Sequence, residues 1–205
     1  MAYFFKWDIK RINIYPFGGC VSFDEKINRP ILEEALILIA GPFVQVIYFT
    51  IITIIYKQGL ISLRNYEIFR IYHHSLLFFN LLPIYPLDGG RLINLFFNYN
   101  FPLKIGNKLS IFLSFMLTIV LSLLLNNLNF YIMAIIINIE LVNFYKNQDL
   151  IYNRFLLERY LYKYRFKKFK IIKNKDNMYK EKRNIIKEKD KYITEEEYLK
   201  KRFQR

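Results

Sequence analysis

Asn80-Leu81-Leu82-Pro83-Ile84-Tyr85-Pro86-Leu87-Asp88-Gly89-Gly90-Arg91 sets two prolines, a carboxylate and a Gly-Gly pair in the middle of a long apolar run. An ionisable side chain at membrane depth is costly, so a functional role is its default reading. Pro83, Pro86, Gly89 and Gly90 also interrupt a regular helix, and irregular backbone is tolerated in a bilayer only where protein or a water-filled cavity satisfies it. The stretch therefore predicts a membrane helix that breaks near Pro83 to Pro86, restarts at Asp88, and turns Asp88 toward a polar interior.

Outward from this motif, the chain divides by composition. Of 205 residues, 54% are apolar, and these are massed in long runs before residue 146. From residue 146 onward, 20 Lys or Arg stand against 9 Asp or Glu, which accounts for most of the net charge of +14. That asymmetry predicts a membrane body with a basic tail. Met1 to Ile14 carries Lys6, Asp8, Lys10 and Arg11 without a sustained apolar core, so it does not read as a signal peptide. Cys20 is the sole cysteine and reads as a small loop residue; one cysteine excludes an intrachain disulfide and a thiolate zinc cage.

In chain order, Tyr3, Phe4, Phe5 and Trp7 beside basic residues, followed by Pro16-Phe17-Gly18-Gly19, predict an interfacial strand or hairpin running to about Phe23. A hydrophilic link leads to a first span, Ile31 to Tyr56. That is enough to cross roughly 30 Å of hydrocarbon at about 1.5 Å per residue. Glu33 and Glu34 suit its N-terminal dipole, and Ala40-Gly41-Pro42 suits close approach of a neighbouring helix. The broken span covers about Ile68 to Phe97, a third runs from beyond Pro102 to Leu125, and Asn126-Asn127 turns into a fourth, Leu128 to Tyr145. The fold expected is an all-α polytopic membrane protein of about four transmembrane helices. Its parts are an interfacial segment (1–30), a transmembrane core (31–146) and a basic cytosolic tail (147–205).

In that tail, Ile151 to Lys173 interleaves aromatic and basic residues and reads as a segment lying on anionic membrane lipid rather than on nucleic acid. Thr194-Glu195-Glu196-Glu197 predicts a capped terminal helix.

For Asp88, three roles stay open from the residues alone: metal ligand, proton or ion relay, or structural partner. A catalytic zinc needs three protein ligands and an open position. The only histidines, His73 and His74, point about 100° apart on a helix and precede Asp88 by 15 and 14 residues, so they read as interface or loop-end residues. No His-Glu-x-x-His occurs in the sequence.

Asn80 to Gly90 resembles the second signature of the site-2 class of intramembrane zinc metalloproteases. Ile14-Tyr15-Pro16-Phe17-Gly18-Gly19, Asn28-Arg29-Pro30, Glu33-Glu34 with Ile39-Ala40-Gly41-Pro42, and Arg154-Phe155-Leu156-Leu157-Glu158-Arg159-Tyr160 resemble, in order, its stage IV sporulation branch. The resemblance implies that Asp88 is the third zinc ligand and that Asn80 positions substrate or stabilises the oxyanion. It further implies six membrane helices in the complete protein and residence in the outer forespore membrane. Its expected substrate is a membrane-associated sigma-factor precursor, and its expected regulators are inhibitory membrane partners. Gln45 stands where many members carry Asn. The His-Glu-x-x-His helix of the family would lie just upstream of Met1, with Met1 to Phe5 as its end. The expectation is thus a shortened protease chain, with a non-catalytic homologue or a small carrier using Asp88 as the alternatives.

Overall fold

A computed structural model describes residues 3–7, 9–15, 18–23, 26–188 and 191–204. After a single turn at residues 3–6, strand β1 (Ile9–Tyr15) pairs antiparallel with β2 (Gly18–Phe23). Pro16 and Phe17, the expected turn, lie outside the described residues, as do Met1, Ala2 and the side chain of Cys20.

Seven helices follow among the described residues: α1 (Ile31–Lys57), α2 (Leu63–Leu81), α3 (Asp88–Asn100), α4 (Leu103–Leu125), α5 (Leu128–Lys146), α6 (Gln148–Tyr162) and α7 (Glu195–Phe203). Their boundaries follow from local chemistry. Pro30 and Pro102 precede α1 and α4, where a missing N–H costs nothing. Asn126, at a left-handed φ of 39°, ends α4, and the Asn127 side chain accepts the Asn129 N–H at 2.9 Å to start α5.

Among the described residues three helices, α1, α4 and α5, are long and apolar enough to cross a membrane. The expected broken second span is present as two helices on either side of the break, neither of them long and apolar enough to cross by itself. α2 begins at Leu63, earlier than the apolar run, and takes in Arg64, Asn65, Glu67 and Arg70, which dilute its hydropathy; α3 has only 13 residues.

One of the three long helices, α4, is dressed inside out. On α4, Asn107, Ser110, Ser114 and Thr118 are buried, while Phe112, Phe115, Ile119 and Val120 face outward. Small and polar groups between helices with apolar groups outside are what a hydrocarbon solvent selects. The chain is an integral membrane protein.

The tail corrects the all-α expectation. Strands β3 (Phe169–Ile172), β4 (Arg183–Glu188) and β5 (Lys191–Thr194) form a sheet in the order β3-β4-β5, with the first pair parallel and the second antiparallel. α6 turns one apolar face into the tail's own core, while Leu150, Leu157 and Leu161 stay exposed. Tyr152, Phe155 and Leu156 are buried with Ile172, Met178, Ile186, Leu199 and Leu103, the first residue of α4. The Tyr152 hydroxyl donates to the Lys175 carbonyl at 2.7 Å, and burial pushes that phenol well above its usual pKa. α7 starts as its sequence suggests, with Thr194 Oγ1 accepting the Glu197 N–H at 3.3 Å. Thr194→Ala should cost about 1 kcal/mol of tail stability, read as faster amide exchange across α7.

The Asn28-Arg29-Pro30 link and the Arg154–Tyr160 segment meet in three dimensions. Arg159 Nε donates to Asn28 Oδ1 at 2.7 Å, and the Asn28 side-chain amide donates to the Phe155 carbonyl at 2.9 Å. Glu181 accepts the Ile31 N–H at 2.6 Å, serving as a remote cap for α1, and Lys180 pairs with Glu34 one turn further on. The tail is therefore fastened to the start of the first membrane helix.

Candidate metal-ligand site

The break between α2 and α3 is a packed structure. Leu82, Ile84 and Leu87 donate their N–H groups to Phe79, Leu82 and Ile84 carbonyls at 2.8–3.1 Å, and Arg91 reaches back to Leu87 at 2.9 Å. Ser114 of α4 accepts the Tyr85 N–H at 2.9 Å. These bonds meet the requirement that irregular backbone in a membrane satisfy itself. Ile84, 1% exposed, is wedged with Ile137 and Leu141 of α5, and Tyr85 stacks on Phe144 with ring centroids 4.3 Å apart. The Tyr85-Pro86 peptide is cis.

Asp88 is the first residue of α3, where the exposed N–H groups and the dipole favour a carboxylate. Its side chain is half-buried and faces α1. A methyl group on Gly41 would sit 3.8 Å from Asp88 Oδ2, so the Ala40-Gly41-Pro42 triplet is where α1 passes over the carboxylate.

The Gly-Gly pair has a steric reason. A Cβ on Gly89 would lie 2.2 Å from the Leu81 carbonyl oxygen, and one on Gly90 would lie 2.2 Å from the Ile84 carbonyl carbon. Only glycine lets α3 start this close to the end of α2. That approach also brings the two predicted site residues to neighbouring positions in the fold: Asn80, half-buried, precedes Leu81, and Asp88 precedes Gly89.

The other candidates sit elsewhere. The His73 ring stacks on Phe49 at 4.2 Å in the seam between α1 and α2, and the His73 carbonyl accepts Gln45 Nε2 at 3.1 Å. His74 Nδ1 is bonded to the Arg70 carbonyl at 2.8 Å. These are helix-packing roles. A cavity of about 400 Å³ is lined by Tyr85 of the break, by Arg91 one turn past Asp88, and further on by Asn94, Asn98 and Asn107. Asn107 links this polar lining to the tail through Gln148 at 2.9 Å.

Among the described residues, no group of three or more His, Cys, Asp and Glu side chains could hold a metal ion. A catalytic zinc takes three protein ligands. The described residues therefore do not by themselves make up a zinc site, and Asp88 offers one carboxylate toward one.

The sequence is 36% identical over 165 residues to stage IV sporulation protein FB of Bacillus subtilis, a match covering 78% of this chain and 57% of that protein. That likeness supports the site-2 protease class for this chain. A second relative, from Synechocystis and provisionally named a zinc metalloprotease, is 32% identical over 89 residues, or 42% of this chain and 23% of its own length. The chain thus spans little more than half of the first curated relative and about a quarter of the second. No protein-family model matches it.

Proposed function

We propose that this chain carries the third-ligand half of a zinc-dependent intramembrane endopeptidase, in which Asp88 binds the metal and Asn80 positions the substrate. The observation that supports it most is the built break: a carboxylate at a helix start, with Gly41 of α1 so placed that an added methyl would just meet it, and a glycine pair that sterics require. When bound, zinc lowers the pKa of its water and polarises a carbonyl. The other two ligands and the general base would come from a His-Glu-x-x-His helix, which this sequence does not hold. The residues that are here orient one carboxylate, keep its backbone satisfied and keep lipid from the break.

On this reading, α2 and α3 together make one more crossing beside α1, α4 and α5, the second in chain order, with the N-terminal hairpin at the interface and the tail in the cytoplasm. The substrate is a membrane-associated protein, and the sporulation name of the first relative favours a sigma-factor precursor at the outer forespore membrane, restrained by inhibitory membrane partners.

The test is a chimera in which a family helix carrying His-Glu-x-x-His precedes Met1. It should bind about one zinc per chain by elemental analysis. Asp88→Asn should lower zinc affinity by at least about 100-fold, the upper end of what losing a mere second-shell partner costs, and should abolish cleavage of the precursor. Full zinc occupancy in the Asn variant would remove Asp88 from the metal site. A second reading, a non-catalytic membrane partner, is favoured by the lack of a three-ligand group among the described residues. A chimera that binds precursor and no zinc would select it.

A further inference from the structure

A cleft of about 640 Å³ lies where the tail meets the membrane body, and its position is fixed by its lining. It is bounded by Pro30, which immediately precedes α1, by Tyr99 at the end of α3, and by the segment joining α6 to β3. Pro30 immediately precedes a helix long and apolar enough to cross a membrane, so the cleft lies beside the end of that span.

Its chemistry is one-sided. Lys26, Arg29, Arg165, Lys167, Lys168 and Lys182 face one carboxylate, Glu181, and that carboxylate already accepts the Ile31 N–H. Arg29 is engaged by Glu33 at 3.8 Å and by the Phe5 and Lys6 carbonyls. Arg165, Lys167 and Lys168 are exposed and meet no carboxylate among the described residues. Burial, then the nearby Lys170 and Lys168, hold the Lys182 ammonium below its ordinary pKa, so an anion placed here relieves a standing repulsion.

Tyrosines frame the charges. Lys26 Nζ sits 4.0 Å from the Tyr162 ring centroid, and Lys168 Nζ donates to the Tyr99 hydroxyl at 3.4 Å. An amphipathic ring beside a basic side chain is the usual furniture of a membrane interface. Basic pockets on membrane proteins at this depth take phosphate-bearing headgroups.

We infer that this cleft is a binding site for a phosphate-bearing anion, supplied by the headgroup of an anionic lipid, clasped between the link before α1 and the segment after α6. The inference does not depend on the protease reading, because none of the cleft residues belongs to the break.

The full chain, purified in a neutral detergent, is titrated with short-chain phosphatidylglycerol, short-chain phosphatidylcholine and inorganic phosphate, with binding followed by thermophoresis. Phosphatidylglycerol should saturate and phosphatidylcholine should not. Replacing the exposed pair Lys167→Ser and Lys168→Ser should weaken phosphatidylglycerol binding roughly 30-fold. The matched pair Lys200→Ser and Lys201→Ser, on α7 and outside the cleft, should weaken it by less than about threefold. Competition by inorganic phosphate in the same concentration range would keep the anion site and make a soluble phosphate its source. Equal losses in the two pairs, or equal binding of both lipids, would overturn the proposal. Circular dichroism on each variant separates lost binding from lost fold, which these exposed positions should leave intact.

Discussion

Replacing Gly90 with alanine should destabilise the membrane core by about 3 kcal/mol or more, at or above the top of the usual range for overpacking. In an ordinary helix the same change is favourable, by about 1 kcal/mol, so the expected sign is itself diagnostic. The added methyl would lie 2.2 Å from both the Ile84 carbonyl carbon and the Tyr85 nitrogen, which are backbone atoms with no rotamer to change. Nor can that backbone retreat, because Ile84 is wedged against α5 and Tyr85 is held by Ser114 and Phe144. Gly89→Ala should behave similarly, since its methyl would meet the Leu81 carbonyl oxygen. Gly41→Ala is the control: its nearest contact is 3.8 Å, so helix propensity should win and stability should hold or rise. The measurement is denaturant unfolding in detergent for all three. A Gly90 variant as stable as the parent would mean that α3 does not start against the loop.

The second large effect is expected in the tail, at Arg159. Its guanidinium is buried and donates to Asn28 Oδ1 at 2.7 Å, Glu195 Oε1 at 2.7 Å, the Tyr179 carbonyl at 2.9 Å, the Lys182 carbonyl at 3.1 Å and the Lys180 carbonyl. Arg159→Met keeps most of the volume and removes every one of these donors. Glu195 would be left as a buried carboxylate with only the Asn184 N–H and side-chain amide for company. Breaking a buried pair by deleting one partner costs roughly 3–5 kcal/mol. Arg159→Lys should recover little, because one ammonium cannot reproduce a planar fork aimed at five acceptors. Hydrogen exchange checks this. Amides of β3, β4 and α7 should lose protection together while α4 and α5 keep theirs. Unchanged tail protection would show that the apolar core holds the unit without its buried ion pair.

The span boundaries were legible because the chain punctuates them. Pro30, Pro102 and Asn126-Asn127 bound apolar runs at positions that α1, α4 and α5 reproduce to within a residue or so. The break at Pro83 to Pro86 and the restart at Asp88 were legible for the same reason. Three things were not. The partner of Ala40-Gly41-Pro42 could not be named, since spacing within one helix says that a neighbour comes close and never which. The tail sheet was hidden because its strands are 4–6 residues long and Lys-rich, a pattern that also suits a segment lying on lipid. The Arg159 cluster was invisible because Asn28 is 131 residues away and Glu195 is 36. Asn28-Arg29-Pro30 and Glu158-Arg159-Tyr160 were noticed as family-like, and only the fold shows that each exists to hold the other.

The fastening of the tail has a mechanical consequence. Glu181 and Lys180 grip the start of α1, and the Met178 carbonyl accepts the N–H of Leu103 at the start of α4 at 3.0 Å. α3, which begins with Asp88, packs against both of these helices. The folded tail thus works as a bracket across the two jambs of the slot in which the Asp88 helix stands. Both jambs are thus gripped from one four-residue stretch of the tail, Met178 to Glu181, so the two grips share a single short rung.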